Sequence, residues 1–374
     1  MSRRILLLNY ECPPLGGGGG VAALQIAEGF IENGYEVDYL TMTFSDLPKF
    51  EVMNGVNVYR VWVPGRTEMP TASLLCQILF PLFAFPKALR LVQKNSYEFI
   101  NTHFAVPTGP LGIWISKLFK LPNILSIHGG DIYDPTKKTS PHRFWPVKKV
   151  VQWVINSSDR IVAQSSNTKE NALKFYTPEK DIEVIPLPYE RKKFAPKTRK
   201  ELGLDPKQKY TVSVGRLVKR KGFDDLIKAI ALIDDKNVHS LIIGDGPELK
   251  NLQNLAQDLN ISDKIHFLGF VSTEAKFQYM KVADLYVLSS KHEGFGIVLQ
   301  EAMQVGLPIV ATDHGGQVDL LDKNNGMLVP VGNTEVLSKT ISMMIQSDQF
   351  CYDSSIYMKK YQSKLIAQKY VNLL

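Results

Sequence analysis

Two glutamates, Glu293 and Glu301, enclose a segment in which glycines precede an apolar stretch that takes on helical spacing near Ile297. Glycines allow backbone amides to approach a ligand closely, and the N-terminus of a helix adds partial positive charge. Such a turn can bind a diphosphate. Because carboxylates repel phosphate, we expect the glutamates to accept hydrogen bonds from sugar and ribose hydroxyls. The alternative is a glycine turn before a core helix whose glutamates are solvated.

A second set of candidates lies in Gly215-Arg-Leu-Val-Lys-Arg-Lys-Gly222, directly after a predicted strand. Gly215 ends that strand and presents Arg216 at its edge, and Lys221 comes just before the next predicted helix. Two cations on one diphosphate would neutralise a leaving group, as a divalent metal does elsewhere. The alternative, a basic surface turn, is the interpretation that we accept for Lys219 and Arg220.

The acidic residues and histidines show no metal-binding pattern. The sequence contains no Asp-x-Asp pair of the kind that holds a metal under a nucleotide sugar, and no zinc-ligand spacing. We therefore expect a metal-independent site without a cofactor.

Helices and strands must position these residues. Along the chain, short apolar runs typical of buried strands alternate with segments of helical periodicity. In the first half, the glycine loop is followed by a predicted helix over 21–33, and the other runs indicate strands: Ile5–Leu8, Glu36–Thr41, Val56–Val63, Phe99–Thr102, Ile124–Ile127, Arg160–Ala163 and Ile182–Ile185. This alternation is typical of a doubly wound parallel sheet.

A proline-rich and basic stretch over 186–200 interrupts the pattern, which then restarts. We predict a first Rossmann-like domain over 1–188 on the acceptor side, a second over 189–355 that binds the nucleotide sugar, and a C-terminal helix within 356–374 that packs back on the first. Two such α/β domains facing each other would bind ligands in a cleft at the carboxyl ends of their strands.

The ordered motifs resemble the family 4 glycosyltransferases, which are retaining enzymes of the GT-B fold. In the second half the resemblance rests on Gly215–Gly222, Gly244–Pro247, Glu293–Ala302 and the His314-Gly-Gly316 that follows. In the first half it rests on Pro13–Val21, Gly34–Val37, Thr102–Gly112 and His128–Asp131. It therefore covers essentially the whole chain.

The resemblance implies a role for each matching residue of the second half. Arg216 and Lys221, at the turn of Gly215, would bind the donor diphosphate, and Glu293 would hold hydroxyls of the transferred sugar. The resemblance also implies that the backbone of Phe295, Gly296 and Ile297 lies beside the phosphates. Glu301 would accept hydrogen bonds from the ribose, and the backbone at Val271 would contact the base.

The first half would supply the opposite side of the donor site. Within the run Gly16–Gly20, Gly19 and Gly20 are the pair that we expect to approach the diphosphate. The resemblance places His128 near the reacting sugar, and His103 and Asp131 become candidates for contact with donor or acceptor. Catalysis would then require the cleft to close.

Retention of configuration without a dedicated pair of carboxylates suggests attack by the acceptor on the leaving-group face. The diphosphate oxygen would receive the proton of the acceptor, while Arg216 and Lys221 stabilise the developing charge. The chain departs from the family pattern at Pro186–Glu190 and Gln317–Asp319. These differences affect the hinge and the rim of the cleft rather than the phosphate site.

Composition narrows the class of protein and its location. Lys and Arg number 44 against 37 Asp and Glu, and the mild excess is spread evenly, which excludes a nucleic-acid-binding stripe. Three distant cysteines, Cys12, Cys76 and Cys351, indicate reduced thiols in a cytoplasm.

The apolar stretch over 72–85 falls short of a membrane span. Mixed aromatic and basic segments, Ser73–Val92 and Lys137–Lys149, could instead rest peripherally on the inner face of the membrane, or could be a core helix and a solvated loop.

The resemblance therefore implies transfer of a hexose-type sugar from a nucleotide-diphosphate sugar, the co-substrate, to a hydroxyl of a glycan or lipid-linked acceptor in the synthesis of cell-surface polysaccharide or glycoconjugate. A GT-B nucleotide-sugar epimerase or hydrolase is an alternative, as is a non-catalytic protein that binds a nucleotide sugar. A dinucleotide oxidoreductase fits less well, because no predicted strand ends in Gly-x-Gly-x-x-Gly followed by an acidic residue about 20 positions later.

Overall fold

The computed structural model describes residues 3–69, 71–135, 139–347 and 352–374, which form two compact units. Unit 1 comprises residues 1–190 and 360–374, and unit 2 comprises 191–359, where the sequence suggested boundaries at 188 and 355. Cys351, expected to be a reduced thiol, lies outside the described residues, as do Lys137 and Lys138 of the basic segment. Cys12 and Cys76 are buried free thiols.

Unit 1 is built on a sheet whose described strands are β1 (Arg4–Leu8), β2 (Glu36–Met42), β3 (Phe50–Met53), β4 (Val56–Val61), β5 (Phe99–His103), β6 (Asn123–Ile127), β7 (Arg160–Ala163) and β8 (Ile182–Val184). Their order across the sheet is β3-β4-β2-β1-β5-β6-β7-β8. All neighbours are parallel except β3 and β4. The helices of this unit are α1 (Gly18–Glu32), α2 (Leu74–Lys94), α3 (Gly109–Phe119), α4 (Trp145–Ser157), α5 (Ser166–Tyr176) and, from the C-terminus, α12 (Ser363–Val371).

Unit 2 contains a parallel sheet whose described strands are β9 (Lys209–Val214), β10 (Val238–Ile243), β11 (Ile265–Gly269), β12 (Leu285–Leu288), β13 (Ile309–Thr312) and β14 (Gly326–Val329), in the order β11-β10-β9-β12-β13-β14. Its helices are α6 (Phe223–Ala231), α7 (Leu249–Asp258), α8 (Thr273–Val282), α9 (Ile297–Val305), α10 (Thr334–Ile345) and α11 (Ser354–Lys359). The predicted fold class, two doubly wound α/β units with parallel sheets, is confirmed.

The central strands of both sheets are buried along nearly their whole length, because helices cover both faces of a doubly wound sheet. The C-terminal helix α12 packs on α1, and a side chain at Gly29 would collide with the backbone of Ser363. Ile366 and Tyr370 of α12 are buried in the core of unit 1.

The sequence patterns did not predict strand β3. β3 pairs antiparallel with β4 through a turn at Asn54 and Gly55, both of which have positive φ. Asn-Gly is the sequence most typical of a two-residue hairpin, so the signal was present. Because β3 lies at the edge of the sheet and is largely exposed, its sequence lacks the apolar run that marked the other strands.

Most of the apolar stretch over 72–85 lies in the longer helix α2, which begins at Leu74 and continues through Pro86 to Lys94. By length and composition alone, α2 could cross a membrane. Its inner face, with the buried residues Phe80, Ala84 and Leu91, packs on the sheet of unit 1. It is a surface helix of that unit whose outer face remains exposed.

Candidate active site

The residues that the sequence singled out fall into two groups. Unit 2 contains Gly215, Arg216, Lys221, Val271, Glu293, Phe295, Gly296, Ile297 and Glu301, and unit 1 contains Gly19, Gly20, His103, His128 and Asp131. In both units these residues lie at or just beyond the carboxyl ends of parallel strands or at the starts of helices. These are the positions at which such sheets bind ligands.

Arg216 lies in the loop Gly215–Gly222, which follows β9. The buried Leu217 anchors the loop, and its backbone N–H donates to the carbonyl of Asp245 at 2.9 Å. The side chain of Arg216 is exposed and forms no hydrogen bond or ion pair with any residue that the structure describes. Arg216 is therefore an unpaired cation on an anchored loop and is available to bind an anionic ligand.

Lys221, at the end of the same loop, forms an ion pair with Glu293, and the two side chains are only 12% and 10% exposed. Ser290 Oγ donates to Glu293 Oε1 at 2.7 Å, and Arg220 Nη1 lies 3.5 Å from Glu293 Oε2. Burial raises the pKa of Glu293, but the charges of Lys221 and Arg220 and the hydrogen bonds outweigh it, so the net pKa is lowered. Glu293 is therefore an ionised hydrogen-bond acceptor beside two cations.

The interpretation of Arg220 as a solvated surface cation was wrong. Its side chain is half-buried and also donates to the carbonyl of His292 at 3.3 Å. A tight turn over Lys219–Lys221 brings Arg220 and Lys221 to the same carboxylate, whereas Lys219 is exposed as expected. Ser290 was also missed, although a polar residue just beyond a fully buried strand was an available signal.

The backbone after Glu293 forms the start of α9. Phe295 is buried, and Gly296, with φ of +96°, precedes the first helical residue, Ile297. A side chain at Gly316 would collide with the carbonyl of Gly294, so only glycine allows the two loops to touch. The helix therefore begins where the sequence predicted, and its first-turn amides can receive an anion.

Glu301, one turn into α9, pairs with Lys276 of α8, with 2.5 Å between Nζ and Oε1. Its other oxygen, Oε2, is buried and has no hydrogen-bond partner among the described residues. A hydroxyl of a ligand could donate to that oxygen. Val271, the residue expected to contact a base, follows β11 directly after Phe270, whose side chain is 89% exposed.

In unit 1, neighbouring strands bring His103 and His128 together. His103 ends β5 and His128 follows β6, and His103 Nδ1 lies 2.9 Å from His128 Nε2. Phe104 stacks on the ring of His128 with 4.3 Å between centroids. Burial lowers the pKa of His128 to about 4 and that of His103 well below its ordinary value, so both are neutral at pH 7.

Asn101 fixes the tautomers of this pair. Its Nδ2 donates to the Ile124 carbonyl at 3.3 Å and to Ser126 Oγ at 3.2 Å, which leaves Oδ1 to accept from His103 Nε2–H at 2.8 Å. His103 Nδ1 is then an acceptor, and His128 Nε2–H donates to it. His128 Nδ1 consequently carries a lone pair, and it is buried without a partner among the described residues. It can accept a hydrogen bond from a ligand hydroxyl.

Asp131 holds the turn that follows His128. Its Oδ1 accepts from the backbone N–H of His128 at 2.9 Å, and its Oδ2 accepts from that of Ala105 at 2.7 Å. Burial raises the pKa of Asp131 to about 6 against the opposing effect of these hydrogen bonds. Because both oxygens bind the backbone, this geometry suits a positioning residue for His128 rather than a ligand contact.

Gly19 and Gly20 lie in the first turn of α1. A side chain at Gly19 would collide with the ring of Phe104, which itself stacks on His128. The amide of Gly20 already donates to Gly17 O at 3.1 Å, so the amides of Gly18 and Gly19 are better placed for a ligand. Glu11, which the sequence analysis missed, accepts from Gly17 N–H at 3.2 Å, and burial raises its pKa.

The burial of neutral His128 predicts a pH dependence of stability. Its pKa of about 4 in the folded protein lies below the ordinary 6.5, so the unfolded chain binds the extra proton as the pH falls from about 6.5 to 4. Relative to a His128→Gln variant, the wild type should lose about 3 kcal/mol of unfolding free energy over this range. Urea denaturation at both ends of the pH range measures the difference in unfolding free energy between the two proteins. Contributions from groups that both proteins share, such as Asp131, cancel in that difference. Parallel pH profiles for the two proteins would contradict the burial of a neutral His128.

Comparison with protein families gives two matches that together span most of the chain. Residues 16–192 match the family model described as Glycosyltransferase Family 4, and residues 194–364 match the model described as Glycosyl transferases group 1. The boundary between the two matches lies close to the division between the units.

Mannosylfructose-phosphate synthase from Agrobacterium fabrum is 30% identical to this chain over 340 residues, which cover 81% of this chain and 74% of the relative. A putative teichuronic acid biosynthesis glycosyltransferase, TuaC of Bacillus subtilis, is 29% identical over 308 residues, covering 79% of this chain and 72% of the relative.

Solved structures show the same fold. Sucrose-phosphate synthase from Thermosynechococcus elongatus superposes with a TM-score of 0.80 at 23% identity, covering 99% of this chain and 98% of the other. HepE from Anabaena, solved with UDP and glucose, gives a TM-score of 0.75 at 21% identity over 99% of each chain. The fold is that of the GT-B glycosyltransferases, as the sequence predicted.

Proposed function

Because the chain belongs to the family 4 glycosyltransferases and is therefore a sugar-transferring enzyme, we propose that it is a retaining transferase that moves a hexose-type sugar from a nucleotide-diphosphate donor to a hydroxyl of a glycan or lipid-linked acceptor. The observation that supports this proposal most strongly is the ion pair between Lys221 and Glu293 just before the N-terminus of α9, in which Lys221 comes from the same loop as the exposed cation Arg216. It combines positive charge for a diphosphate with an ionised acceptor for sugar hydroxyls. No metal or cofactor takes part in the proposed reaction.

In this proposal each group of unit 2 has a distinct task. Arg216 and the first-turn amides of α9, over Phe295–Ile297, bind the diphosphate. Lys221 shares its charge between the diphosphate and Glu293, which accepts from hydroxyls of the transferred sugar. Glu301 accepts from the ribose through Oε2, the oxygen that Lys276 leaves unpaired.

The base lies against the backbone at Val271, beside Phe270. In unit 1, His128 Nδ1 accepts from a hydroxyl of the reacting sugar, and the amides of Gly18 and Gly19 approach the diphosphate. His103 fixes the tautomer of His128 and Asp131 fixes the turn that follows it, so both are positioning residues.

The chemistry follows from charge development on the leaving group. The bond between the anomeric carbon and the diphosphate breaks, the acceptor oxygen forms its bond on the same face, and its proton passes to the departing diphosphate oxygen. Arg216 and Lys221 stabilise the transition state because negative charge grows on the diphosphate as that bond lengthens. Glu293, paired with Lys221, orients the sugar instead of attacking it.

We further propose that the reaction takes place in the cytoplasm, with peripheral contact at the inner face of the membrane, and supplies cell-surface polysaccharide or glycoconjugate. The relative named as a putative teichuronic acid biosynthesis glycosyltransferase supports this setting.

A panel of UDP-, GDP- and ADP-sugars tests donor binding without knowledge of the acceptor. We expect one base to raise the melting temperature by several degrees in the presence of EDTA, since saturation at about 100 times Kd contributes about 2.7 kcal/mol. UDP-sugars are tested first, because HepE was solved with UDP-glucose. The free sugar without its nucleotide is the control and should give no shift.

The stabilising donor is then incubated with membrane extract and the products are separated. Acceptor-dependent release of the nucleoside diphosphate, with retained anomeric configuration in the product, is the expected result. Donor consumption without acceptor that yields an epimerised sugar would assign the epimerase activity instead. No shift with any donor in the panel would contradict the proposed site.

A further inference from the structure

The four tryptophans of the chain share one side of unit 1. Trp62 follows β4, Trp114 lies on α3, and Trp145 and Trp153 lie on α4, and each is 37–68% exposed. Trp62 packs edge-on against Phe83 of α2 with 5.8 Å between centroids, and Trp114 against Phe85 of the same helix at 6.1 Å. Exposed tryptophan is uncommon on a surface that meets only water, but it is enriched where a protein meets the interface of a bilayer.

These aromatic residues continue into an exposed apolar strip on α2. Outward-facing residues that are 41–68% exposed run along this helix: Leu74, Leu75, Ile78, Leu82 and Phe83. Helix α3 packs between α2 and α4, so the three outer faces are contiguous. An apolar patch of this extent on an otherwise polar protein marks an interaction surface.

The charges on the same three helices are of one sign. Helices α2, α3 and α4 contain Lys87, Arg90, Lys94, Lys117, Lys148 and Lys149, and no aspartate or glutamate. In the whole chain acidic residues are nearly as common as basic ones, 37 against 44. Because these three adjacent helices have basic residues and no acidic ones, their surface is complementary to an anionic surface. A second copy of the chain would bring like charges together across a symmetric interface, which is unfavourable.

A groove of about 700 Å³ lies between these helices. Leu82, Phe85, Trp114, Leu118 and Trp153 form its apolar walls, and Lys117 is the charged residue in its lining. A hydrocarbon chain fits such walls, and a lysine ammonium at the same site can meet a lipid phosphate.

We propose that the outer faces of α2, α3 and α4 form a docking surface by which unit 1 binds an anionic lipid bilayer. The tryptophans and the α2 strip enter the interfacial region, the lysines meet anionic headgroups, and the groove takes an acyl chain. Because the inner face of α2 packs on the sheet, the helix lies in the membrane plane and does not cross the bilayer. This inference deepens the peripheral membrane contact proposed above and rests on that proposal.

Vesicle flotation of the full chain, without donor or acceptor, tests the docking surface. Vesicles of phosphatidylcholine with a third of phosphatidylglycerol should bind the protein at low salt, and pure phosphatidylcholine should bind it far more weakly. Tryptophan emission should shift to the blue on binding, because every tryptophan of the chain lies at this surface.

Charge reversal locates the contact. Lys117→Glu with Lys149→Glu should lower the partition coefficient about twentyfold or more, since each lysine near an anionic leaflet contributes roughly fivefold. The matched control, Lys236→Glu with Lys250→Glu, makes the same change in net charge at exposed positions of unit 2 and should reduce binding much less. Trp145→Ala with Trp153→Ala should also weaken binding and diminish the blue shift.

Absence of binding to the anionic vesicles at low salt would overturn the inference, as would equal losses in the two charge-reversal pairs. The inference would also be overturned if the protein associates with itself and does not bind vesicles, and if the tryptophan variants abolish that association. The surface would then be assigned to a second copy of the chain. Donor-induced thermal shifts should be unchanged in all of these variants. A failed membrane assay is therefore distinguishable from a failed transferase proposal.

Discussion

Replacement of Arg216 by alanine is expected to lower kcat/KM for sugar transfer by about a thousandfold, because it removes a charge aimed at the diphosphate on which the transition state develops its own charge. Arg216 is exposed and makes no side-chain bond with any described residue, so the melting temperature without ligand should stay unchanged. Steady-state kinetics with the donor identified by thermal shift measure the effect.

Lys219→Ala is the matched control for this measurement, since it removes an exposed cation from the same loop. It should retain nearly full activity. Arg216→Lys should recover part of the loss, because it restores the charge but not the two-point geometry of a guanidinium. Full activity in Arg216→Ala, or an equal loss in Lys219→Ala, would contradict the assignment of Arg216 to the diphosphate.

Glu293→Gln is expected to reduce kcat/KM by about a hundredfold or more, with part of the loss in donor affinity. A carboxylate that accepts from sugar hydroxyls binds them more strongly than a neutral amide does. The substitution also releases Lys221 and Arg220 from their shared partner, and the unpaired buried lysine should lower the free energy of unfolding by about 1–3 kcal/mol. Kinetics together with urea denaturation separate the two effects.

Glu170→Gln, which neutralises an exposed carboxylate beyond the first turn of α5, is the control and should change neither quantity. Lys221→Ala adds a second comparison. It breaks the same ion pair, and we expect it to impair both stability and transfer, whereas Arg216→Ala impairs transfer alone. A fully active Glu293→Gln enzyme would exclude this carboxylate from sugar recognition.

The sequence predicted which helices and strands carry the candidate site residues better than it predicted the partners of those residues. The helix after Gly296 begins at Ile297 as expected, because the glycine turn and the apolar spacing are local features. That Arg220 turns toward Glu293 depends on a tight turn and on a carboxylate 73 positions away, which no local pattern encodes. Likewise, Asn101 was read only as part of a buried strand. Its bonds to Ile124 and Ser126 of β6, which leave its oxygen free for His103, require neighbouring strands in register.

Features at the sheet edge and on the protein surface were also poorly predicted from the sequence. β3 lies at a sheet edge and is exposed, so its pattern was weak despite the Asn-Gly turn. α2 contains two prolines, which sequence rules take as breaks, yet the helix continues past both. The docking surface emerges only when α2, α3 and α4 are seen side by side, because its tryptophans are far apart in the chain.

Calorimetric titration of the wild type with the preferred nucleoside diphosphate and with the corresponding nucleoside, both in EDTA, tests the central claim that a metal-free set of cations and amides binds the diphosphate. We expect the diphosphate to bind at least about a hundredfold more tightly than the nucleoside, since each charge-assisted hydrogen bond contributes on the order of 1.5–3 kcal/mol. Equal affinities for the two ligands, or diphosphate binding that appears only when a divalent metal is added, would contradict it.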